Sequence, residues 1–423
     1  MNLTIEKMIY GGDGLARSPG GKTVFVPLVL AGEEVTIEIT EEKTGFIRAN
    51  LKELLQPSEK RTPPPCPYFG SCGGCHYQHS NYEYQLEMKA AILRETFQRT
   101  GKFNWDNEVL IHSSEPWHYR NRTRMKVSTQ AGFVLGHHRA ASNELLAVEI
   151  CPISSPLINR AIQRIWELGR EQRTPGGISE IEFFADHEDS ALLLEIYAVQ
   201  PIPGLQQFFS DVREHVPELR GMALFSMSGT GASGLPGLVE TVEGGWLNYR
   251  AGDWTFRVSA GSFFQTNRFL VDDLVRTVVA GVSGRMALDL YSGVGLFANH
   301  LSKRFHQVFA VESNPASLAD LKANAQKNVS AVQATTEQFL QKSLNLNPDL
   351  VVVDPPRAGL GERAAKLLAA QRIPRVTYLS CDPTTLARDL RLLLDFGYRM
   401  EEVHLIDLFP QTFHIESLVR LAR

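Results

Sequence analysis

The spacing of hydrophobic residues along this chain changes near residue 284. Beyond that point, short apolar runs alternate with segments of helical periodicity, a pattern that predicts a parallel β-sheet with crossover helices. The predicted strands are Met286–Leu290, Val308–Val311, Leu350–Val353 and Val376–Leu379. We therefore expect residues 263–423 to form an α/β domain with a Rossmann-like sheet.

Residues 1–57 show a different pattern, in which short strand-like runs are separated by glycine-rich turns. Turn signals occur at residues 11–14 and 18–21, where glycine and proline concentrate. The predicted strands are Thr23–Val26, Glu34–Ile39 and Phe46–Leu51. Several short strands in so small a segment predict a small β-barrel of the OB type.

Residues 58–262 are expected to form a strand-rich α+β central domain, with Ala191–Val199 and Trp254–Val258 typical of its strands. Near its start, Ser80 and Glu83 form a capping-box pattern that predicts a helix around residues 83–100. The apolar stripe of this helix consists of Leu86, Ala90, Leu93 and Phe97. We expect the helix to pack with the C-terminal domain.

The composition is that of a globular protein, with 423 residues, 43% hydrophobic residues and a net charge of −4. No apolar run approaches the roughly 18 residues that a membrane span requires, and the N-terminus lacks the layout of a signal peptide. A cytoplasmic protein without a membrane partner is therefore expected, and no segment indicates an obligate protein partner. Because cytoplasmic thiols stay reduced, clustered cysteines indicate a metal or catalysis instead of disulfides.

A net charge of −4 gives no general basic surface for nucleic acid, so an RNA contact would need a local cluster of cations. The segment 119–126 supplies one. Its cations recur at every second position, so that on a strand they share one face: Arg120, Arg122, Arg124 and Lys126. This face is either an RNA-binding surface or an ordinary solvated strand face.

Chemically suggestive residues follow each of the four predicted C-terminal strands. They are, in strand order, Tyr291 with Gly293 and Gly295, then Glu312, then Asp354 with two prolines, and then Cys381. Ligands of open α/β sheets bind outside the carboxyl ends of the strands. Four segments that converge on that edge predict a functional site there.

The first two segments suit a nucleoside-containing ligand. A glycine turn lets the backbone approach a ligand closely, and an acidic residue about 20 positions later can bind a ribose. Glu312 lies 23 positions after Asp289 and suits that role, although a purely structural turn is the alternative. The missing third glycine disfavours NAD. The run DLYSGVG, followed by an acidic strand end, resembles S-adenosylmethionine (SAM) methyltransferases.

Asp354 and Cys381 each have a structural explanation beside a chemical one. Asp354 with Pro355 and Pro356 resembles the substrate-side motif of nucleobase methyltransferases, and it also suits an N-cap followed by helix-initiating prolines. Cys381 precedes a helix that Asp382 can cap; the helix end favours a thiolate and the Asp382 carboxylate opposes it. A buried structural cysteine is the alternative for Cys381.

Three motifs together resemble the RNA uracil-C5 methyltransferase family, and the resemblance covers nearly the whole chain. They are DPPRAGL at 354–360, LSCDPTTLARDL at 379–390 and FHIES at 413–417. The resemblance implies that Cys381 is the nucleophile and Glu416 the proton-abstracting base. The implied cofactor-binding residues are Gln265, Tyr291, Glu312 and Asp354, with Gly293 and Gly295 of the glycine turn. Leu296 stands where well-known members carry Asn, which puts one cofactor hydrogen bond in question.

The implied chemistry explains these residue types. Uracil C5 is a poor nucleophile, and addition of a thiolate at C6 would turn it into an enolate that accepts a methyl group from SAM. A base must then remove the C5 proton so that the cysteine can leave, which is the task of Glu416. The target uridine must be unpaired or flipped out of its stack.

The remaining cysteines form a separate pattern of Cys66, Cys72, Cys75 and Cys151. Three thiols within ten residues indicate a metal site that Cys151 would complete, and buried reduced thiols are the other reading. Four thiolates suit zinc or an iron–sulfur cluster, but structural zinc sites usually show two paired knuckles and this chain has one. The resemblance implies a [4Fe–4S] cluster, a TRAM domain at residues 1–57, and 23S rRNA more than tRNA as substrate.

Two other functions remain open from the sequence. A methyltransferase acting on an exocyclic amine would use Asp354 and its prolines without a cysteine nucleophile. A non-catalytic RNA-binding iron–sulfur protein would need neither Cys381 nor Glu416, and their presence argues against it.

Overall fold

The computed structural model describes residues 1–130, 132–227, 236–343 and 345–423. The N-terminal strands are β1 (Asn2–Thr4), β2 (Lys7–Met8), β3 (Gly14–Arg17), β4 (Thr23–Val26), β5 (Glu34–Glu42) and β6 (Phe46–Gln56). They form one sheet in the order β1-β5-β6-β4-β3-β2. Register shifts in the β5–β6 pairing bend these two long strands around a small core that contains Val24, Ile37 and Ile47. The three strands predicted here are confirmed; closure into a barrel stays a prediction.

The segment that follows packs on the C-terminal domain. It contains helix α1 (Tyr82–Thr96), a π-helical turn (Phe97–Gly101) and strand β7 (Leu110–His112). The N-cap is Asn81, whose side chain accepts from Tyr84 N at 2.9 Å, so the helix begins one residue later than the capping-box pattern predicts.

The buried face of α1 also differs from the predicted stripe. Leu93 and Phe97 of the predicted stripe are buried, whereas Leu86 and Ala90 are only partly so. The other buried residues of the helix are Gln85, Met88, Lys89 and Ile92. Two of the buried residues are polar and bond to the C-terminal domain, since Gln85 contacts Gln411 and Lys89 contacts Asp407. Apolar periodicity cannot detect a helix face that is buried through polar contacts.

The central domain is built on a seven-stranded sheet. Its elements are β8 (Arg122–Ser128), β9 (Val134–His138), β10 (Leu145–Ala147), α2 (Pro156–Arg170), β11 (Ile178–Ala185), β12 (Leu192–Ala198), α3 (Leu205–Arg213), β13 (Leu219–Ser226) and β14 (Gly237–Glu243). The sheet order is β10-β9-β8-β11-β12-β13-β14. Helices α2 and α3 share a core with the sheet through apolar side chains such as Ile162, Ile165 and Phe208. This is the strand-rich α+β arrangement that the sequence predicts.

The C-terminal domain alternates strands and helices. Its elements are β15 (Trp246–Ala251), β16 (Trp254–Ser259), α4 (Val271–Val279), β17 (Gly284–Leu290), α5 (Leu296–Leu301), β18 (Phe305–Glu312), α6 (Pro315–Asn324), β19 (Val329–Gln333), α7 (Thr336–Lys342), β20 (Leu350–Val353), α8 (Gly361–Ala370), β21 (Arg375–Ser380), α9 (Pro383–Asp395), β22 (Arg399–Ile406) and β23 (Glu416–Ala422). All four strands predicted in this region are confirmed.

The eight-stranded sheet of this domain has the order β19-β18-β17-β20-β21-β23-β22-β7. Strands β17 to β21 run parallel, and β23 inserts antiparallel between β21 and β22. One core contains side chains of α4 to α6 and of the β15–β16 pair, and the other contains side chains of α1 and α7 to α9. Strand β7 and the β15–β16 pair therefore join this domain although they precede residue 263. In the described ranges, none of the helices combines the length and hydropathy that crossing a membrane requires.

Candidate active site

The predicted site segments meet at the carboxyl edge of the parallel strands. Strands β18, β17, β20 and β21 are neighbours in that order. Glu312, Tyr291, Asp354 and Cys381 stand at or just beyond the ends of these strands. The sheet topology therefore brings together residues that are up to 90 positions apart in the sequence.

The glycine turn after β17 has a conformation that suits close approach of a ligand. Gly293 and Gly295 have φ values of +54° and +91°, and a Cβ added to Gly293 would meet no atom within 4 Å. Tyr291, which opens the turn, also has a positive φ of 63°. Non-glycine residues held in this region occur often at functional sites.

Glu312 fixes this turn from the neighbouring strand. Its carboxylate accepts from Gly293 N at 2.9 Å and from Asn314 N at 2.6 Å. Each oxygen accepts one bond and retains a lone pair for a hydroxyl group of a ligand. The geometry thus suits the ribose-binding role predicted from spacing.

Asp289 supports the turn from inside the sheet, a function that spacing did not reveal. It is fully buried, and its Oδ2 accepts from Ala298 N at 2.8 Å in the first turn of α5. The N-cap of α5 is Gly295, which has no side chain, so Asp289 bonds a helix amide in its place. Burial raises the pKa of Asp289 well above its ordinary value.

Leu296 follows Gly295 at the start of α5. It is buried and belongs to the apolar core beneath the turn. Leu296 is therefore a packing side chain at the position where the resemblance implies a polar one.

Cys381 and Glu416 lie at the same end of two paired strands. The antiparallel register of β21 and β23 pairs Ser380 with Ser417, so the residues one step beyond are Cys381 and Glu416. Cys381 is partly exposed and Glu416 is 5% exposed. The strand pairing alone therefore brings the predicted nucleophile and base together.

The acidic groups of this site influence one another. Burial, followed by the charges of Glu416 and Asp354, raises the pKa of Cys381 to about 12. Burial raises the pKa of Asp354 to about 7, and burial with the Asp354 charge raises the pKa of Glu416 well above its ordinary value. The pKa of Cys381 is therefore shifted upward, a direction that the sequence left open. The Cys381 thiol is protonated at neutral pH.

Arg357 opposes this trend, since its guanidinium lowers the pKa of Cys381. Its Nη2 lies 3.4 Å from both ring nitrogens of His414. Burial and the Arg357 charge lower the pKa of His414 to about 3, so the ring is neutral. Arg357 lies within the DPPRAGL motif, but neither its spacing nor its motif indicates that it acts on the cysteine.

The loop that carries Asp354 and Arg357 is attached to α9. Thr385 Oγ1 donates to Arg357 O at 3.0 Å, and Arg388 Nη2 donates to Ala358 O at 2.8 Å. At the end of the loop, Leu360 N donates to Asp389 Oδ2 at 2.7 Å. Because Cys381 directly precedes α9, the same helix positions both motifs.

Gln265 lies in the connection from β16 to α4. It is buried, and its backbone oxygen accepts from Asn121 Nδ2 at 3.0 Å. The residues just before it line a cleft of about 440 Å³ that reaches Asn314, beyond the end of β18. This connection therefore lies beside the Glu312 end of the sheet, where the sequence predicts a cofactor-binding residue.

The basic face of β8 lines the same cleft, but its cations are paired with acidic residues. Arg122 Nε lies 3.1 Å from Glu182 Oε1, and both Arg124 and Lys126 form ion pairs with Glu180. Arg124 keeps 41% of its side chain exposed and lies over the Tyr197 ring at 3.8 Å. Arg120 lies outside β8, and its backbone forms isolated β-bridges with Ser154 and Asn267. The four cations thus do not form one free basic surface.

The four remaining cysteines are brought close to one another by the fold. Burial raises the pKa of Cys66, Cys72 and Cys75, to about 12 for Cys75, and the neighbouring cysteines raise these values further. Cys151 acts on all three, although it comes from the segment before α2. Within the described residues, no group of three or more His, Cys, Asp or Glu side chains is arranged so that it could hold a metal ion.

Comparison with known proteins gives matches over the whole chain. The model of the tRNA (uracil-5-)-methyltransferase family matches residues 240–423, and that of the TRAM domain matches residues 1–52. An uncharacterized RNA methyltransferase of Aquifex aeolicus is 34% identical over 100% of this chain and 98% of its own length. The 23S rRNA (uracil(1939)-C(5))-methyltransferase RlmD of Chromohalobacter salexigens is 32% identical over 100% of this chain and 89% of its own.

Among solved structures, the fold resembles that of the Pyrococcus abyssi tRNA (uracil-54, C5)-methyltransferase in complex with S-adenosyl-L-homocysteine. The TM-score is 0.79 at 25% sequence identity, covering 99% of both chains. The resemblance read from the three C-terminal motifs and the TRAM-like N-terminal pattern is therefore confirmed.

Proposed function

This chain belongs to the RNA uracil-C5 methyltransferase family, and we propose that it forms 5-methyluridine in 23S rRNA with SAM as the methyl donor. The observation that carries the proposal is the position of Cys381 and Glu416 at one end of two paired strands. Asp354 directly follows β20, which pairs with β21 on the side opposite to β23. A nucleophile, a base and a second carboxyl group thus share the edge of the sheet where ligands bind.

The reaction assigns one step to each residue. The Cys381 thiol, protonated at rest, first loses its proton to solvent. The thiolate bonds to C6 of the uracil, and the C5–C6 π electrons move toward O4 to give an enolate. C5 then takes the methyl group of the donor, whose sulfur–methyl bond breaks with its electron pair left on the sulfur as a neutral thioether. Glu416 removes the remaining C5 proton, the C5–C6 double bond re-forms, and the sulfur–C6 bond breaks. The raised pKa of Glu416 makes its carboxylate a stronger base for this step.

The site has features suited to holding the methyl donor, which supplies an electrophilic methyl group on a cationic sulfonium. Glu312 would bind the ribose through its unused lone pairs, and the open space over Gly293 would admit the ligand against the backbone. Gln265, Tyr291 and Asp354 would complete the binding residues. Leu296 would supply only apolar contact at the position where relatives carry a polar side chain.

The proposal of 23S rRNA instead of tRNA rests on whole-chain similarity. The relative named as a 23S rRNA enzyme is 32% identical over the full chain, whereas the structure named as a tRNA enzyme is 25% identical. A tRNA substrate is the alternative. Incubation with each RNA made without modification, followed by mass mapping of methylated uridines, decides between them; methylation of tRNA alone would contradict the proposal.

We also propose that Cys66, Cys72, Cys75 and Cys151 hold a [4Fe–4S] cluster that orients the central domain. A single zinc ion binds sulfur at about 2.3 Å and therefore requires thiols close together. In a cluster each thiolate binds a different iron, so the sulfurs stand farther apart. Cys151 raises the pKa of Cys66, Cys72 and Cys75, so the fold brings the four cysteines near one another. Only Cys72 and Cys75 have the paired spacing of a zinc knuckle, which favours the cluster.

For RNA binding, the proposed surface on β8 reduces mainly to Arg124. Arg124 keeps 41% of its side chain exposed, against 14% for Arg122, and unlike Lys126 it lines the cleft beside the active site. If it binds a phosphate, Arg124→Gln weakens RNA binding and lowers the slope of log affinity against log salt by about one. Arg391→Gln, which removes an exposed cation on α9, is the matched control. An unchanged slope in Arg124→Gln would contradict the assignment.

The mechanism is tested by trapping on RNA that contains 5-fluorouridine. Fluorine replaces the proton that Glu416 must remove, so the covalent adduct persists and is visible as a protein–RNA band. We expect the adduct with the wild-type protein and none with Cys381→Ala. No adduct with the wild type would favour methylation of an exocyclic amine, and an undiminished adduct in Cys381→Ala would refute the nucleophile assignment.

A further inference from the structure

A tyrosine of the N-terminal module, residues 1–57, reaches the active site. The Tyr10 hydroxyl donates to Asp382 Oδ2 at 3.0 Å, across 372 positions of sequence. Asp382 is the residue that follows Cys381. The Tyr10 ring also meets Phe413 edge-on at 5.6 Å, beside the segment that leads to Glu416. Tyr10 therefore touches both motifs that carry the reaction.

A second contact fixes the module at this place. Gly12, two residues after Tyr10, has a φ of +99°, and a Cβ there would lie 2.9 Å from His76 Cδ2. The His76 ring in turn lies 4.6 Å from that of Phe413. The turn that carries Tyr10 is thus packed tightly against His76, which itself contacts Phe413. This packing restricts movement of Tyr10 away from Asp382.

Asp382 holds the backbone around Cys381. Its Oδ1 accepts from Thr384 N and Thr385 N, both at 2.9 Å, and so caps α9. Its own N–H donates to Ser380 Oγ at 3.2 Å. Tyr10 bonds the other carboxylate oxygen, so the side chain is fixed at both oxygens and the peptide that carries Cys381 is fixed with it.

The same bond acts on charge. A donor on Asp382 draws negative charge away from a carboxylate that stands next to a thiol needed as an anion. Burial and the Asp382 charge raise the pKa of Tyr10, so the hydroxyl stays protonated and remains a donor over the whole range in which enzymes work. The bond therefore persists when Cys381 ionises.

We propose that Tyr10 is a positioning residue for Cys381, and that the N-terminal module is thereby part of the catalytic apparatus and not only an RNA-binding attachment. The inference rests on the proposed function, because it requires Cys381 as nucleophile. Tyr10 acts through Asp382, and its loss alters the rate of attack on uracil more than the affinity for RNA.

The test is Tyr10→Phe, which removes the hydroxyl and keeps the ring against Phe413. We expect the single-turnover rate of adduct formation with 5-fluorouridine RNA to fall at least about tenfold, with KM for RNA within about twofold. Alkylation of Cys381 by iodoacetamide without RNA slows in parallel. Thr36→Val, which removes an exposed hydroxyl bond in the same module, is the control and leaves these rates unchanged.

Each contrary result has a distinct meaning. A wild-type adduct rate in Tyr10→Phe overturns the inference. A raised KM with an unchanged maximal rate also overturns it, since Tyr10 would then contact RNA. These outcomes differ from failure of the proposed function, in which Cys381→Ala forms adduct as the wild type does. Tyr10→Phe and Thr36→Val could also lower the melting temperature by the same amount and form adduct at the same rate. Tyr10 would then be only a structural contact.

Discussion

Cys381 and Glu416 stand side by side because β23 pairs antiparallel with β21, one position beyond the Ser380–Ser417 pair. The two residues are 35 positions apart in the sequence. The segment between them makes α9, β22 and the turn that returns the chain to the sheet. The chemistry therefore depends on a strand register, and a register is fixed by which face of each strand is buried.

Replacing Glu416 separates attack from release. In Glu416→Gln the thiol can still add to C6, but the C5 proton is not removed and the enzyme is not released. We expect a covalent protein–RNA species to accumulate with ordinary RNA and SAM, and turnover to fall by about 10²- to 10⁴-fold. Denaturing electrophoresis measures the species.

The control for this experiment is the double variant Cys381→Ala/Glu416→Gln, which cannot form the bond and should show no such species. Turnover close to that of the wild type in Glu416→Gln would show that another group removes the proton.

The reactivity of Cys381 should rise steadily with pH. Its pKa is raised to about 12, so below that value the thiolate fraction increases about tenfold for each pH unit. An ordinary thiol instead levels off above a pKa of about 8.5. Mass-mapped alkylation of Cys381 by iodoacetamide between pH 7 and 10 measures this rise, with a cysteine-containing peptide as reference.

Arg357 should also affect the reactivity of Cys381. Because its guanidinium lowers the pKa of Cys381, Arg357→Gln should slow alkylation at every pH in that range. A plateau near pH 8 or 9 in the wild-type protein would contradict the raised pKa, and faster alkylation in Arg357→Gln would contradict the sign of the arginine's effect.

The buried pair of Lys89 and Asp407 should matter for stability. Lys89 is fully buried, and its Nζ lies 2.6 Å from Asp407 Oδ1 and 2.9 Å from Phe409 O. Lys89→Met leaves the Asp407 carboxylate buried without its cation and should lower the free energy of unfolding by about 3–5 kcal/mol. Equilibrium unfolding in urea measures this loss.

Two further variants test the cause of that loss. Lys89→Met/Asp407→Leu removes both charges and should recover much of the stability. Arg391→Gln breaks an exposed pair with Asp395 on α9 and should cost under about 1 kcal/mol. A loss in Lys89→Met no larger than in Arg391→Gln would mean that water reaches the pair.

The metal proposal predicts a composition. Protein purified without oxygen should contain about four irons and four sulfides per chain and absorb visible light. Cys75→Ser should lower the iron content, whereas Cys381→Ala, which removes the fifth cysteine, should leave it unchanged. One zinc per chain without sulfide would contradict the cluster, and equal metal loss in both variants would contradict the assignment of ligands.

The strands of the C-terminal domain and the reactive residues at their ends can be predicted from the sequence alone. Buried parallel strands are continuous apolar runs, so Leu350–Val353 was predicted with the bounds that the structure has. Strand ends in such a sheet share one edge, which is why Glu312, Asp354 and Cys381 could be placed together before any contact was known. Glu416 came from its motif, because no periodicity marks a base.

The distant segments that complete the site become known only from the three-dimensional packing of the chain. The Tyr10 bond to Asp382, the Asp289 bond to α5 and the burial of Lys89 on α1 join residues through polar contacts that leave no periodic trace. The pairing of Arg124 and Lys126 with Glu180 likewise depends on how β8 lies against β11. The raised pKa of Cys381 depends on burial and on the charges of Glu416 and Asp354. Both carboxyl groups come near the cysteine only when the strands pair.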